Sequence, residues 1–185
     1  MKTLAAIAAT FLALAFTAPS PAFAGEAPAG PVVLTVAGNI ANSNRPAYRD
    51  KLDVIFRYHK RTFDRAFAFD RAMLEGLGTV ALRIEHAGWG GPMTVSGPRL
   101  ADVLKMVGCS GGPPATLALD GFSTEISRED LDAHDWVVAT RAEGRPLGLG
   151  ERGPLWLVFD PPGERPATDE EADQWPWALF FIECG

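Results

Sequence analysis

Residues 79–86 carry the clearest alternation in the chain: Val80, Leu82, Ile84 and His86 on one side, Thr79, Ala81, Arg83 and Glu85 on the other. A period of two is that of a half-buried strand. The β-branched run VVLTVAGNI over 32–40 predicts an earlier strand that ends at the turn cluster ANSNRP. From 48 to 60, Leu52, Ile55, Phe56 and Tyr58 or His59 recur at intervals of three and four, predicting a helix. The segment TFDRAFAFD fits neither period, and Asp70 then reads as the N-cap of a short helix burying Met73, Leu74 and Leu77 before Gly78. Beyond the loop GWGGP, Pro98 opens the most distinct helix, with Leu100, Val103, Leu104 and Val107 as one stripe and Gly108 as its stop. That stripe is expected to face the sheet.

The segments 116–119 and 122–126 flank Asp120-Gly121 and predict a hairpin with a two-residue loop. Ser127 to Asp130 reads as a capping-box-like helix start. Residues 136–140 predict a strand. The stretch RAEGRPLGLGERGPLWLVFD then turns twice and rises into a strand over 155–159. Residues 160–174, Pro-rich and acidic, read as an exposed loop, and WALFFIE over 177–183 as a closing strand. Short strands among short, irregularly placed helices predict an α+β class with a mixed sheet.

Residues 1–24 change the picture, because a basic start, an apolar run and Ala22-Phe23-Ala24 form a secretory signal peptide pattern. The expected organisation is a cleaved signal over 1–24, a linker over 25–31, one domain over 32–185 and a periplasmic location. No later segment is apolar enough to cross a membrane, so no membrane insertion of the mature chain is expected. The net charge of −6 at pH 7 becomes more negative once Lys2 leaves with the signal, which argues against a nucleic-acid partner. Export to an oxidising compartment allows Cys109 and Cys184 to pair, while two small buried hydrophobes is the equally open alternative.

Three motifs look like chemistry and read better as architecture. Gly148, Gly150 and Gly153 spell G-x-G-x-x-G, but the strand follows the glycines, whereas a dinucleotide site needs it before them and a helix after. Gly108-Cys109-Ser110-Gly111-Gly112 matches a nucleophile elbow, but a helix leads in and two prolines lead out. The three histidines are widely separated, and the Asp132, His134, Asp135 group reads as a solvated loop. Of the five tryptophans, Trp89 stands apart, because a Gly-flanked loop directly after a strand presents an indole at a cleft.

A family resemblance rests on TVALRIEHAGWGGPMTVSGPRLADVLKMVG taken with DWVVATRAEGRPLGLGERGPLWLVFDPP. The strand, the Trp loop, the helix opening at Gly97, the A-x-R-x-x-G-x-P-L pattern from Ala139 and the G-P-L step from Gly153 occur in an order that resembles the sulfite-oxidase-like oxidoreductase molybdopterin-binding domain. It is most similar to the short, exported bacterial members. The resemblance implies a mixed-sheet, barrel-like fold and a pterin-bound molybdenum. In catalytic relatives a cysteine thiolate after the strand holds the metal and an H-G-x-P-L-R step holds the pterin phosphate. Here the first region reads Ile84 to Trp89 without cysteine, and the second reads Glu151-Arg152-Gly153-Pro154-Leu155-Trp156. An acid and a Trp stand where cations are expected, and Arg152 lies one register step away.

The expectation is therefore a binding or sensory module without the cofactor, working with a small ligand or with a membrane-bound sensor or redox partner. The alternative is an oxidoreductase whose metal takes oxygen ligation from Glu85 or water. A third reading is a structural protein whose cleft is filled by Trp89 and Trp156. The candidate ligand-binding residues are Arg83 and Glu85 on one strand face, His86 and Trp89 at its mouth, and Arg141 at a strand end.

Overall fold

The computed structural model describes residues 25–163 and 165–185; the expected signal peptide, residues 1–24, lies outside them. The fold is α+β, with strands forming three open sheets and no closed barrel among the described residues, so the barrel-like expectation is corrected. The largest sheet runs β2-β1-β11-β5-β6, built from β1 (Val32–Gly38), β2 (Ala66–Asp70), β5 (Ala115–Ala118), β6 (Ser123–Glu125) and β11 (Leu179–Cys184). Only β1 and β11 pair in parallel, which makes the sheet mixed. A four-stranded sheet joins β3 (Val80–Ile84), β4 (Met93–Gly97), β8 (Arg141–Ala142) and β9 (Arg145–Pro146). The third sheet pairs β7 (Val137–Ala139) with β10 (Trp156–Val158).

The largest sheet is buried on both faces. Leu34 and Val36 of β1, Phe67 and Phe69 of β2 and Ile182 of β11 point into the main core, shared with the β7–β10 pair. On the opposite face Ala37, Ala66, Leu117 and Phe181 pack with Phe56, Phe63 and Phe180. Burial on both faces explains why AFAFD shows no clean period: every residue of β2 is buried, so apolar side chains are favoured at successive positions.

The helix expected over 48–60 shrinks to α1 (Val54–Tyr58), and its predicted stripe is not a core face. Phe56 is buried, whereas Leu52, Ile55 and Tyr58 are exposed. Asp53 accounts for this: its carboxylate turns inward, pairs with Arg45 and accepts from the Arg49 backbone N–H at 2.7 Å, so the chain before the helix is held in a turn. Arg45 in turn lies over the rings of Phe56 and Phe63 at 5.0 and 5.2 Å. Asp70 caps α2 (Arg71–Gly76) as expected, accepting from Met73 N–H at 2.8 Å.

Helix α3 (Leu100–Val107) buries Leu100, Val103 and Val107 in the main core and stops at Gly108 in a left-handed conformation, φ 63°. Cys109 follows directly and is disulfide-bonded to Cys184 at the end of β11. The hairpin loop between β5 and β6 holds three residues rather than two, since Ala118 N–H donates to Phe122 O at 2.8 Å and Gly121 N–H to Ala118 O at 3.0 Å. Ser127 caps α4 (Arg128–Ala133). Strand β4 has no counterpart in the sequence reading, because its glycine- and proline-rich flanks read as loop. The stretch over 160–174 is not wholly exposed: Pro161 and Ala167 are buried, and α5 (Asp169–Ala172) forms there behind a Thr168/Glu171 capping box.

Candidate functional site

A cleft of about 570 Å3 opens beside the exit of β3, lined by His86, Trp89, Phe122, Arg152, Asp169, Ala172, Asp173, Trp175, Pro176 and Trp177. The backbone after β3 sets its first wall. Trp89 N–H donates to His86 O at 2.9 Å, closing a turn, and Gly88 N–H donates to His86 Nδ1 at 3.1 Å. A backbone N–H can only donate, so Nδ1 accepts and Nε2–H faces Asp169 Oδ1 at 2.8 Å. The segment before α5 runs alongside: Ala167 N–H donates to Glu85 O at 2.7 Å, which delivers Asp169 to His86.

The floor is aromatic. Trp156 is fully buried, donates from Nε1 to Trp175 O at 3.3 Å, and sits 5.5 Å from the Trp89 ring and 6.1 Å from Trp175. Trp175 is 3% exposed, and its Nε1–H has no partner among the described residues. Arg152 completes the floor. Its guanidinium carbon lies 4.3 Å from the Trp156 ring centre and 4.7 Å from that of Trp89, a stacked cation–π arrangement. The side chain makes no ion pair and donates no hydrogen bond among the described residues. Burial pushes its pKa below the ordinary value.

The turn before β10 dictates where Arg152 points. Gly148 O accepts from both Glu151 N–H and Gly153 N–H, and Glu151 folds back to accept from Gly148 N–H at 3.1 Å. Glu151 is thereby occupied within the loop and does not neutralise its neighbour. A Cβ at Gly153 would lie 2.6 Å from Gly148 O, so the chain crosses itself there only as glycine. The three glycines that resemble a nucleotide loop are the turn that sets Arg152 under the cleft.

The sequence-selected residues separate into three places. His86 and Trp89 line the cleft above. Arg83 and Glu85 face a second cleft of about 390 Å3 with Asp160 and Arg165. Arg141 lines neither, because it is held by Glu75 through Nε–Oε1 at 2.9 Å and Nη2–Oε2 at 3.2 Å, tying β8 to α2. That pairing draws the Glu75 carboxyl below its usual range. Asp169, Asp173, Trp175 and Phe122 were not singled out from sequence, since they come from distant loops; Arg152 was visible as the one cation within its motif. His59 and His134 contact Leu119 O and the Phe159 ring respectively, so the histidines do not converge.

Glu171 makes the cleft wall pH-sensitive. Arg165 grips its carboxylate at 2.7 and 2.8 Å and Thr168 N–H adds a bond at 2.8 Å, which lowers its pKa from 4.5 to about 2. A depressed folded pKa contributes stability that is present above 4.5 and is lost as the pH falls toward 2. Tryptophan fluorescence is therefore expected to change across that acid window as α5 loosens, and Glu171→Gln to abolish this component; an unchanged titration in the variant would contradict it.

Comparison with known proteins leaves the assignment to the site itself. No family model matches the chain, and no curated protein does. No described helix is long and apolar enough to cross a membrane.

Proposed function

We propose that this protein is an exported ligand-binding module on a sulfite-oxidase-like scaffold from which the molybdenum chemistry has been lost. The carrying observation is the half-buried Arg152 guanidinium, stacked on two indoles at the floor of a cleft and without an acceptor among the described residues. Its donors are not sealed from solvent, so they are open to an acceptor that enters the cleft, and partial burial strengthens such a charge-assisted bond. The cleft size is that of small-molecule sites, with aromatic walls and four charged or polar side chains, His86, Arg152, Asp169 and Asp173.

The donor set does not fit the family's cofactor. Cys109 and Cys184 are bonded to each other, so neither supplies a thiolate. The loop after β3 offers His86 and Glu85, and His86 has both ring nitrogens engaged. The Trp89, Trp156 and Trp175 cluster also occupies the space beside that loop. Ligand occupancy would then be passed to a membrane-bound partner.

Protein produced in a host that makes molybdenum cofactor decides the matter. Elemental and pterin analysis is expected to find neither in proportion to protein. One molybdenum and one pterin per chain would overturn the reading.

A further inference from the structure

The chemistry of the cleft narrows its ligand, on the reading that it is a binding site. Arg152 is not the only charged group there: Asp169 and Asp173 line the same cavity. They lie four residues apart, at the first residue and the C-cap of α5, joined by an Asp173 N–H to Asp169 O bond of 2.8 Å, so they share one face of that turn. The Asp169 carboxylate engages His86 through Oδ1 alone, and the exposed Asp173 carboxylate has no ion-pair or hydrogen-bond partner among the described residues. A cation without a partner among the described residues and two solvent-facing carboxylates thus share one cavity.

The same cavity also has aromatic walls. Trp89, Trp175, Trp177 and Phe122 line the cavity, with Trp177 and Phe122 each 44% exposed at its rim. Indole faces attract ammonium and quaternary ammonium groups. A simple anion would satisfy Arg152 but face the two aspartates. A simple cation would satisfy the aspartates and leave the half-buried guanidinium unmatched.

We infer that the cleft takes a small zwitterion, its carboxylate on the Arg152 guanidinium and its amine or quaternary ammonium group against Asp169, Asp173 and the indole faces. A planar guanidinium suits a carboxylate because it donates two parallel N–H bonds. The Trp175 ring lines the same wall.

Calorimetry and tryptophan fluorescence on the signal-free protein test the proposal with four probes: L-leucine, glycine betaine, leucinamide, which lacks the carboxylate, and N-acetyl-leucine, which lacks the cation. Leucine or betaine is expected to bind saturably. Leucinamide and N-acetyl-leucine each bind about tenfold more weakly than leucine. Arg152→Gln erases the preference for leucine over leucinamide, and Asp173→Asn that over N-acetyl-leucine. Should Arg152→Gln lower the melting temperature enough to blur its result, Arg152→Lys, which keeps the charge, and the exposed Asp173→Asn decide. N-acetyl-leucine binding as tightly as leucine, in an Arg152-dependent way, overturns the zwitterion and leaves the binding-module reading standing. Absence of Arg152-dependent binding for every probe overturns the zwitterion site, whereas molybdenum and pterin in the isolated protein overturn the underlying reading whatever the probes do.

Discussion

Replacing Cys109 and Cys184 together by alanine is expected to cost about 4 kcal/mol of stability, from the chain entropy regained by a loop this long. The bond spans a sequence separation of 75 and joins the end of α3 to the last residue of β11. Strand β11 lies at the centre of the largest sheet, between β1 and β5, so freeing its end loosens both neighbours. For a chain of this size about 1 kcal/mol moves the melting temperature by roughly 2–4 °C, so the double variant is expected to melt roughly 10 °C lower. Scanning calorimetry of the variant and of reductant-treated wild type should give matching shifts. A shift under about 2 °C in both would show that the disulfide does not limit stability.

Trp156→Ala is expected to be comparably damaging, about 3–5 kcal/mol, because the indole is fully buried and its removal leaves a cavity. The variant also strands Trp175 O, which loses the Nε1–H bond, and removes the nearer of the two rings under Arg152. Trp156→Phe keeps an aromatic face and loses mainly the hydrogen bond, so about 1 kcal/mol is expected from that term. Denaturant unfolding monitored by circular dichroism measures both. A loss below about 1 kcal/mol for the alanine variant would mean that the aromatic floor is not a packed element.

Trp156 also shows where legibility ended. Its place in a strand followed from the apolar run around it, and its burial from being a tryptophan in such a run. That its ring would touch Trp89 and Trp175 was not readable, because the three sit on separate segments brought together by the β7–β10 pairing and the loop after α5. The candidate residues divide for the same reason. Arg83 and Glu85 alternate with Ile84, and the strand period places them outward together; nothing local says that His86 then turns into a different cleft. Arg141 looked available at a strand end until Glu75, from α2, closed on it.

By itself the sequence determined the short-range features: the strand period over β3, the caps at Asp70 and Ser127, the α3 stripe with its glycine stop, and the glycines before β10 as turns. Each depends on neighbours within a few residues, where backbone geometry and side-chain chemistry act directly. The tertiary structure alone decided the strand order, the Cys109–Cys184 bond over its open alternative, and the meeting of Arg152 with the indoles in one cleft with Asp169 and Asp173. Those depend on contacts between distant segments, which share no periodicity and are set by which buried faces fit together.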